Sequence, residues 1–264
     1  MIRIDQEKCI GCGRCLADCE GGALEIENGK ASWVRKCIQC GHCVAVCPTG
    51  AVTIPEYDMD EVEEYDPELF RVDPATFLRA VKFRRSIRNY REEPIEHDKL
   101  ERILNAGRYT ATAKNSQATR FILLRNELED FKQIFWEEMP AIVEGLKKTL
   151  PLYSKIFGRF LRLRNEDPAK DNLFFNTTSV LVITAQDPLD GGLAAANIEN
   201  MAVAEGAGAL YSGYLQRLLG LSPKLKEYLG IAEDEKIVCV MLLGYPAVSY
   251  KRTAPRAEGH IEWR

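Results

Sequence analysis

The sequence lacks any long apolar run and any strong overall bias of charge. No stretch of about 18 apolar residues occurs among the 264, so no segment is expected to cross a bilayer. The first 30 residues carry charges and cysteines where a secretory signal peptide has an apolar stretch, which predicts a cytoplasmic protein in which disulfides are disfavoured. The net charge of −4 gives no electrostatic reason to expect a nucleic acid as the main partner. We therefore expect neither a membrane nor a nucleic acid as partner.

Cysteine is scarce over most of the chain. Beyond residue 47 the only cysteine is Cys239, whereas the first 47 residues hold eight. Hydrophobic residues make up 46% of the chain and charged residues 28%, which is typical of a globular protein. Domains average roughly 150 residues, so the chain is long enough for a small domain and a medium one. The uneven distribution of cysteine predicts such a pair.

The cysteine-rich part is an internal duplication. Residues 9–26 and 37–54 align at an offset of 28 residues with 10 of 18 positions identical. Each copy ends in a short apolar stretch and is preceded by another. The pattern predicts a strand, a cysteine loop, a short helix and a strand in each copy, and two such copies form a small α+β module.

Both copies carry the spacing Cys-x2-Cys-x2-Cys-x3-Cys, which is typical of cubic iron–sulfur cluster ligands. Gly11, Gly13 and Gly41 permit the tight turns that three closely spaced ligands need. The fourth cysteine of each run ligates the other cluster in this arrangement. A zinc site or a disulfide scaffold would require other ligand pairings or an oxidising compartment. We predict two [4Fe–4S] clusters, one held by Cys9, Cys12, Cys15 and Cys47, the other by Cys37, Cys40, Cys43 and Cys19.

Positions 1–54 resemble the bacterial two-cluster ferredoxins, which implies a ferredoxin-like two-cluster domain over residues 1–56 that conducts electrons. Glu20 departs from this family, which usually has proline there, and the departure bears on the exposure and potential of the first cluster.

A strongly acidic segment follows the duplication. Residues 55–74 hold nine acidic residues, one basic residue and three prolines. This composition predicts a linker, which we place at 57–74. The segment is either a solvated connector or lies on the mildly basic domain that follows, at 75–264.

The remaining residues alternate predicted helices and strands. Apolar spacing predicts a helix over 98–106, and continuous apolar runs predict buried strands at 121–124, 180–183 and 237–243. Longer helical stretches are predicted at about 127–164 and 193–219. Ser222, Pro223 and Gly230 mark the start and end of a further short helix. The pattern indicates an α+β or α/β core.

Four segments of this domain bear polar or glycine motifs suited to a flat, anionic ligand. No Gly-x-Gly-x-x-Gly follows a strand, so a Rossmann nicotinamide site has no support. Basic side chains with a hydroxyl can hold a phosphate, amides can bond a ring edge, and glycines permit close approach of the backbone. The segments are 84–90, 112–117, 204–209 and 244–252.

In this order the segments resemble the nitroreductase family of FMN enzymes, over about residues 77–264. The resemblance implies an α+β domain with a central, largely antiparallel sheet flanked by helices, and an intertwined homodimer with FMN at its interface. It also implies site residues. The phosphate and ribityl chain would be held by Arg84, Arg85, Ser86, Arg88, Lys251 and Arg252, and the isoalloxazine ring would be contacted by Asn115, Gln117 and the backbone of Glu205 and Gly206.

Two parts of the domain depart from the family. Ala111, Thr112, Ala118 and Thr119 replace the residues that usually flank the asparagine and glutamine. Residues 131–164 are the least family-like. Their basic amphipathic pattern is compatible with membrane binding, but we favour a helical subdomain that packs at the dimer interface and covers the flavin.

These observations predict an FMN- and iron–sulfur-dependent oxidoreductase. Its clusters would pass electrons to FMN for reduction of a small organic acceptor, such as a nitroaromatic, a quinone, or an activated alkene or halide. Alternatively, NAD(P)H reduces the flavin and the clusters send electrons out to a partner ferredoxin, or the chain is a non-enzymatic redox sensor or electron carrier. No side chain is assigned as catalytic, because the cofactor performs the chemistry.

Overall fold

The chain folds into two units, and one short segment lies outside the unit that surrounds it in sequence. The computed structural model describes residues 1–264. Its first unit comprises Met1–Arg71 together with Thr112–Gln117. The second unit comprises Val72–Ala111 and Ala118–Arg264. Thr112–Gln117 therefore belongs to the first unit, although the sequence on both sides of it belongs to the second.

The first unit is built from two antiparallel strand pairs and two single-turn helices. Strand β1 pairs with β4, and β2 pairs with β3. Each half contains a strand, a cysteine loop, a short helix and a strand, which confirms the order predicted for the duplication. The bounds are β1 Arg3–Ile4, α1 Arg14–Ala17, β2 Leu24–Glu27, β3 Lys30–Trp33, α2 His42–Ala45 and β4 Val52–Thr53.

The second unit is organised around a four-stranded sheet in which every neighbouring pair is antiparallel. The strand order is β5-β6-β8-β7. The three apolar runs of the sequence form β5, β6 and β8, so the predicted strands and the predicted antiparallel sheet are confirmed. The bounds are β5 Arg120–Leu124, β6 Ser179–Thr184, β7 Gly208–Tyr211 and β8 Ile237–Gly244.

Seven helices flank this sheet. The predicted helix at 98–106 is present as α4, and Ser222 caps α9 by accepting a hydrogen bond from the Leu225 backbone N–H. The bounds are α3 Pro74–Phe83, α4 His97–Arg108, α5 Leu128–Thr149, α6 Pro151–Glu166, α7 Pro188–Ala204, α8 Gly213–Leu221 and α9 Pro223–Tyr228.

Alternating residues of the central strands enter two separate cores. Val180 and Val182 pack in one core with side chains of α5, α6, α8 and α9. Leu181 and Ile183 pack in the other with side chains of α4 and α7. All six residues of β6 are buried. Such burial on both faces explains why the strand is continuously apolar.

The predicted helical stretch at 193–219 is wrong. The structure divides it into α7, β7 and α8. Helix α7 ends because Gly206 adopts a left-handed φ of 76°, while Ala207 N–H donates to Ala202 O at 2.8 Å and Gly206 N–H to Val203 O at 3.1 Å. This hydrogen-bond pattern is a Schellman motif, which terminates helices. The chain then adds β7 to the edge of the sheet. The stretch at 127–164 is likewise two helices, since Pro151 begins α6.

Candidate functional site

Two cavities in the first unit are each lined by four cysteines. One, the first cysteine cavity, is lined by Cys9, Cys12, Cys15 and Cys47. The other, the second cysteine cavity, is lined by Cys19, Cys37, Cys40 and Cys43. The structure thus brings together the same two sets of four that the spacing predicts, with the last cysteine of each run crossing to the other cavity.

The donor sets fit iron–sulfur clusters better than single ions. No group of His, Cys, Asp and Glu side chains in the chain is arranged to hold one metal ion. A cubic cluster is larger than an ion and takes one thiolate at each of four corners, so its ligands surround a cavity. Four cysteines around an enclosed, mainly apolar space have the chemistry and the spacing for such a group.

A left-handed glycine precedes the buried cysteine of each cavity. Gly13 and Gly41 precede α1 and α2 with φ values of 71° and 79°. Residues with a Cβ adopt this conformation reluctantly. The turn allows the chain to enter a short helix at once, and Cys15 and Cys43 lie buried in the two helices.

Backbone N–H groups donate to the cysteine sulfurs. Gln39 N–H donates to Cys37 Sγ at 3.2 Å, and Ala51 N–H donates to Cys47 Sγ at 3.2 Å. Burial opposes ionisation of Cys47, but hydrogen bonds from Thr49 and Ala51 bring the pKa of its thiol below the usual value. Burial raises the pKa of the Cys43 thiol to about 11.

The two cysteine loops are covered by different parts of the chain. At the first cavity, the loop packs so closely on the turn between β2 and β3 that a Cβ on Gly11 would lie 2.0 Å from Gly29 O. Lys30 Nζ also donates to Cys9 O. An offset of 28 residues relates Gly11 to Gln39 and Gly29 to Tyr57. No second β-hairpin covers the loop at Gln39.

The segment 112–117 covers that second loop. Asn115 Nδ2 donates to Ile38 O and to Gln39 O, both at 3.0 Å, and Gln117 Nε2 donates to Tyr57 Oη at 2.7 Å. The structure therefore places Asn115 and Gln117 in the first unit, against the loop between Cys37 and Cys40. The other residues predicted to hold FMN all lie in the second unit.

The basic segment 84–88 runs beside the start of β7. Ile87 N–H donates to Ala209 O at 3.1 Å, and a Cβ on Gly208 would lie 2.5 Å from the Ile87 side chain. Since β7 begins two residues after Gly206, the structure brings the basic segment close to the end of α7. The predicted phosphate residues of this segment, Arg84 to Arg88, and the backbone of Glu205 and Gly206 thus share one part of the second unit.

The cations of this segment differ in their surroundings. Arg84 forms an ion pair with Glu199 of α7, with Nη1 and Oε1 3.1 Å apart and the two side chains 25% and 10% exposed. Arg85 donates to Lys82 O at 2.9 Å. Arg88 is exposed and forms no ion pair. Arg85 and Arg88 therefore offer positive charge that no carboxylate neutralises, as a phosphate site requires, and Ser86 is half-buried between them.

The end of α7 is already hydrogen-bonded. The Glu205 carboxylate accepts from Arg102 Nε at 2.5 Å and from Arg102 Nη2 at 3.2 Å. Arg102 holds the pKa of Glu205 below its usual value. Glu205 N–H donates to Met201 O, and Gly206 N–H donates to Val203 O. A ring at this position would have to share those N–H groups with the helix cap.

Lys251 and Arg252 lie in the exposed C-terminal segment. This segment is tied to the basic segment at one point, where Tyr90 and Pro246 form a β-bridge and Ala247 N–H donates to Asn89 O at 2.9 Å. The only hydrogen bond of the Lys251 ammonium is to Ser249 Oγ, at 3.2 Å. The structure brings the start of the terminal segment to residues 89–91 but forms no contact between Lys251 or Arg252 and Arg84.

Residues 131–164 form a helical hairpin whose aromatic side chains belong to the core of the second unit. Phe131, Phe135 and Phe157 are fully buried, and Phe174 packs edge-on against Phe131 and Phe135. These rings therefore pack within the unit rather than line an open surface. Neither this hairpin nor any other helix of the chain has the length and apolarity to span a membrane.

Three polar side chains outside the sequence motifs take part in these arrangements. Glu199 interrupts the buried face of α7 formed by Ala195, Ile198 and Ala202, and an acid on an apolar face is a signal that could have identified it. Tyr57 stands at the position that the duplication relates to Gly29. No feature of the sequence distinguishes Arg102, since it appears as an ordinary exposed helical residue.

Two family models match the chain. The nitroreductase family model matches residues 81–245, which is more than half of the chain. A model described as a 4Fe–4S dicluster domain matches residues 1–63. No curated protein matches the chain.

Solved structures share the fold of the second unit. A nitroreductase with bound FMN from Bacteroides fragilis NCTC 9343 is 22% identical, with a TM-score of 0.54 over 71% of this chain and 97% of that one. A nitroreductase with bound FMN from Desulfitobacterium hafniense DCB-2 is 20% identical, with a TM-score of 0.54 over 70% and 98%. An FMN-dependent nitroreductase from Clostridium difficile R20291 is 15% identical, with a TM-score of 0.55 over 72% and 100%.

At these identities the solved structures establish the fold. The match to the nitroreductase family model also assigns the family, because it spans the sheet, the basic segment and the end of α7 continuously. A 4Fe–4S dicluster domain precedes it. This chain belongs to the nitroreductase family of oxidoreductases.

Proposed function

We propose that the chain binds two [4Fe–4S] clusters and FMN, and that it reduces a small organic acceptor with electrons that arrive through the clusters. The observation that carries this proposal is the presence of two four-cysteine cavities in the same chain as a nitroreductase domain. The matched solved structures with bound FMN support the flavin. When bound, the clusters would carry single electrons and the flavin would deliver an electron pair to the acceptor.

The cysteine cavities would hold one cluster each. Besides supplying four thiolates, each cavity directs backbone N–H groups at its sulfurs, including Ala31 N–H at Cys9 Sγ and Gln39 N–H at Cys37 Sγ. Such hydrogen bonds stabilise the negative charge of a reduced cluster and raise its potential. The protein thereby supports a group that accepts and releases electrons.

The second unit would hold the flavin phosphate through Arg85, Ser86 and Arg88. Arg84 would contribute while it remains paired with Glu199, which fixes its orientation. Lys251 and Arg252 would reach the phosphate from the C-terminal segment. Glu205 and Gly206 would face the ring. Asn115 and Gln117 remain proposed ring contacts, although Asn115 would use Oδ1 because Nδ2 is bonded to the second cysteine loop.

The substrate would be oriented over the flavin by the pocket walls, and no side chain is required as a nucleophile. Nitroaromatics, quinones and activated alkenes or halides are acceptors that this chemistry can serve. The protein would therefore bind and orient the substrate and exclude water, without supplying an acid or a base.

We also propose that the chain acts as a homodimer. Helix α3 has no buried residue, although it carries four large apolar side chains. The C-terminal segment exposes Trp263 at 92% and Ile261 at 71%. Exposed apolar groups of this size mark surfaces that pack against another chain, and a second copy would cover them. The apolar side chains of α3 are Phe77, Leu78, Val81 and Phe83.

The decisive experiment is an anaerobic analysis of composition and electron flow. We expect about eight iron atoms and one flavin per chain, four irons for each cluster. Stopped-flow absorbance should then show the flavin bleaching when reduced ferredoxin is added, and reoxidation when a nitroaromatic or a quinone follows. Bleaching by NADH instead would support the reverse direction of electron flow. A chain with bound flavin that turns over no acceptor would indicate a sensor.

Variants test where the flavin is held. Arg88→Met should weaken FMN binding by about tenfold or more, because a charge-assisted hydrogen bond to phosphate contributes about 1.5–3 kcal/mol, and it should leave the iron content unchanged. Arg91→Met is a matched control, since Arg91 is an exposed arginine three residues further along the chain and donates to Pro246 O. Loss of iron together with flavin in Arg88→Met would mean that the flavin site is wrongly placed.

A further inference from the structure

One peptide group links the segment 112–117 to a cysteine sulfur. The peptide between Ile38 and Gln39 accepts a hydrogen bond at its oxygen from Asn115 Nδ2, at 3.0 Å. The same peptide donates its N–H to Cys37 Sγ at 3.2 Å. Asn115, the peptide and the sulfur therefore form one continuous chain of hydrogen bonds inside the first unit.

Hydrogen bonds in such a chain strengthen one another. A donor at the carbonyl oxygen draws electron density from the peptide and makes its N–H a better donor. The number and strength of hydrogen bonds to the sulfurs is one of the features that set the reduction potential of an iron–sulfur cluster. Asn115 thus acts on the second cysteine cavity from one peptide away.

At the first cysteine cavity the side chain that bonds the loop, Lys30, donates to Cys9 O, and the N–H of that peptide is not the one bonded to the Cys9 sulfur. Cys9 Sγ accepts from Ala31 N–H at 3.3 Å, and Ala31 belongs to β3. The two cavities are therefore similar but not identical. In the first, a backbone N–H of strand β3 donates to Cys9 Sγ, and in the second, a backbone N–H of the cysteine loop itself donates to Cys37 Sγ. Only the loop is bonded by a segment that comes from the flavin-binding part of the sequence.

The segment itself is held in an unfavourable backbone conformation. Lys114, Asn115 and Gln117 have left-handed φ values of 55°, 53° and 47°. Such a conformation is unfavourable for a residue with a Cβ and persists where surrounding contacts impose it. Thr112 supplies two of these contacts, because its O accepts from Asn115 N–H and its Oγ1 accepts from Gln117 N–H, both at 3.0 Å. The strain presents the Asn115 amide to the loop.

We propose that Asn115 is a positioning residue that raises the reduction potential of the cluster in the second cysteine cavity by strengthening the Gln39 N–H bond to Cys37 Sγ. This rests on the proposed function only in requiring that the cavity holds a cluster. It does not depend on the flavin. The consequence is that the two clusters, although built from duplicated sequence, differ in potential, and that the difference is imposed by a segment outside the duplication.

The test is an anaerobic redox titration of the full-length protein, monitored by electron paramagnetic resonance. Asn115→Ala removes the donor, and Asn115→Asp keeps the shape but puts a carboxylate against two carbonyl oxygens. We expect the midpoint potential of the second cluster to move to more negative values in both variants, and further in Asn115→Asp. The signal of the first cluster should stay at its wild-type potential. A Cys40→Ser variant, which alters a ligand of the second cavity alone, assigns the signals.

Gln117→Ala is the matched control. It removes an amide of the same segment, but Gln117 Nε2 bonds Tyr57 Oη and not the cysteine loop, so the second potential should be unchanged. Equal shifts in Asn115→Ala and Gln117→Ala would overturn the inference, as would a wild-type potential in Asn115→Ala. A wild-type protein with fewer than about eight irons would instead contradict the proposed function, so the two failures are distinguishable.

Discussion

At Gly11 the chain has no room for a side chain. A Cβ would lie 2.0 Å from Gly29 O, and the residue also has a left-handed φ of 67°. Backbone cannot move aside as a flexible side chain can. Gly13, two residues later, has a similar φ of 71° but nothing within 4 Å of a Cβ. A comparison of substitutions at Gly11 and Gly13 therefore separates the effect of a steric clash from the effect of backbone strain.

Gly11→Ala should therefore prevent assembly of the first cluster, while Gly13→Ala should not. For Gly13→Ala we expect a stability loss of about 1–2 kcal/mol, from left-handed strain alone, with wild-type iron content. For Gly11→Ala we expect iron to fall to about half, since the second cavity does not use this loop. Iron analysis and paramagnetic resonance of the reduced proteins measure both. Full iron in Gly11→Ala would show that the loop can move away from Gly29.

The ion pair between Arg84 and Glu199 couples the predicted phosphate site to helix α7. Removing one partner of a mostly buried pair leaves the other charge unpaired, which costs stability. We expect Glu199→Gln to lower the melting temperature of the flavin-free protein. FMN should then raise it by more than it does in wild type, because the phosphate supplies a new counter-charge for Arg84.

Glu235→Gln serves as the control for this prediction. It breaks a more exposed pair with Arg120, 3.2 Å apart, that involves no predicted flavin residue. Thermal shift with and without FMN should show a lower melting temperature in Glu235→Gln and no extra gain from FMN. If the extra gain is absent in Glu199→Gln as well, Arg84 does not bind the phosphate.

Among the elements, helix α4 and strand β8 are joined by a polar cluster. The Glu96 carboxylate accepts from the hydroxyl of Tyr245 and from Lys99 Nζ, the latter at 3.1 Å. Lys99 also donates to Tyr245 Oη at 2.8 Å. The Tyr245 hydroxyl, the Glu96 backbone and Lys99 lower the pKa of Glu96 to about 2. This cluster fastens the start of α4 to the residue that follows β8.

The lowered pKa of Glu96 predicts how the stabilising effect of this group of polar side chains depends on pH. Because Glu96 is a stronger acid in the folded chain than in the unfolded chain, its stabilising effect is present above the ordinary value of 4.5 and is lost as pH falls towards 2. The stability difference between wild type and Glu96→Gln should thus be constant from pH 7 to 5 and shrink below pH 4.5. Urea unfolding followed by circular dichroism measures it. A difference that grows on acidification would contradict the assignment.

Most elements of the second unit could be predicted from sequence, and the exceptions have physical causes. Strands β6 and β8 are buried on both faces, which makes them continuous apolar runs, and β5 is also an apolar run after Arg120, although it is only partly buried at the edge of the sheet. Strand β7 was missed because its Ala209 and Leu210 suit a helix equally well, and the strand exists only because Gly206 ends α7 and β8 offers an edge. A local sequence pattern carries no information about which strand will lie beside a segment in the folded sheet.

For the whole molecule, the unpartnered apolar side chains of α3 predict association. We expect light scattering to give about twice the chain mass of 29.8 kDa. Phe77→Asp should shift the protein to the monomer, because a charge cannot be buried in an apolar interface without a partner. Tyr65→Asp is the control, as Tyr65 is 76% exposed outside α3. A Phe77→Asp protein that stays dimeric would place the interface elsewhere.

The sequence by itself determined which cysteines line each of the two cavities and the family of the second unit. The short spacing in sequence limits how far apart the sulfurs of three cysteines in one loop can lie, and the duplication repeats the same spacing in a second loop. Only the tertiary structure decided what surrounds these sites. The Asn115 amide meets the Ile38 carbonyl across 77 residues of sequence, and Arg84 meets Glu199 across 115. A backbone carbonyl is chemically the same at every residue, so no pattern in the sequence can show which one a distant side chain will find.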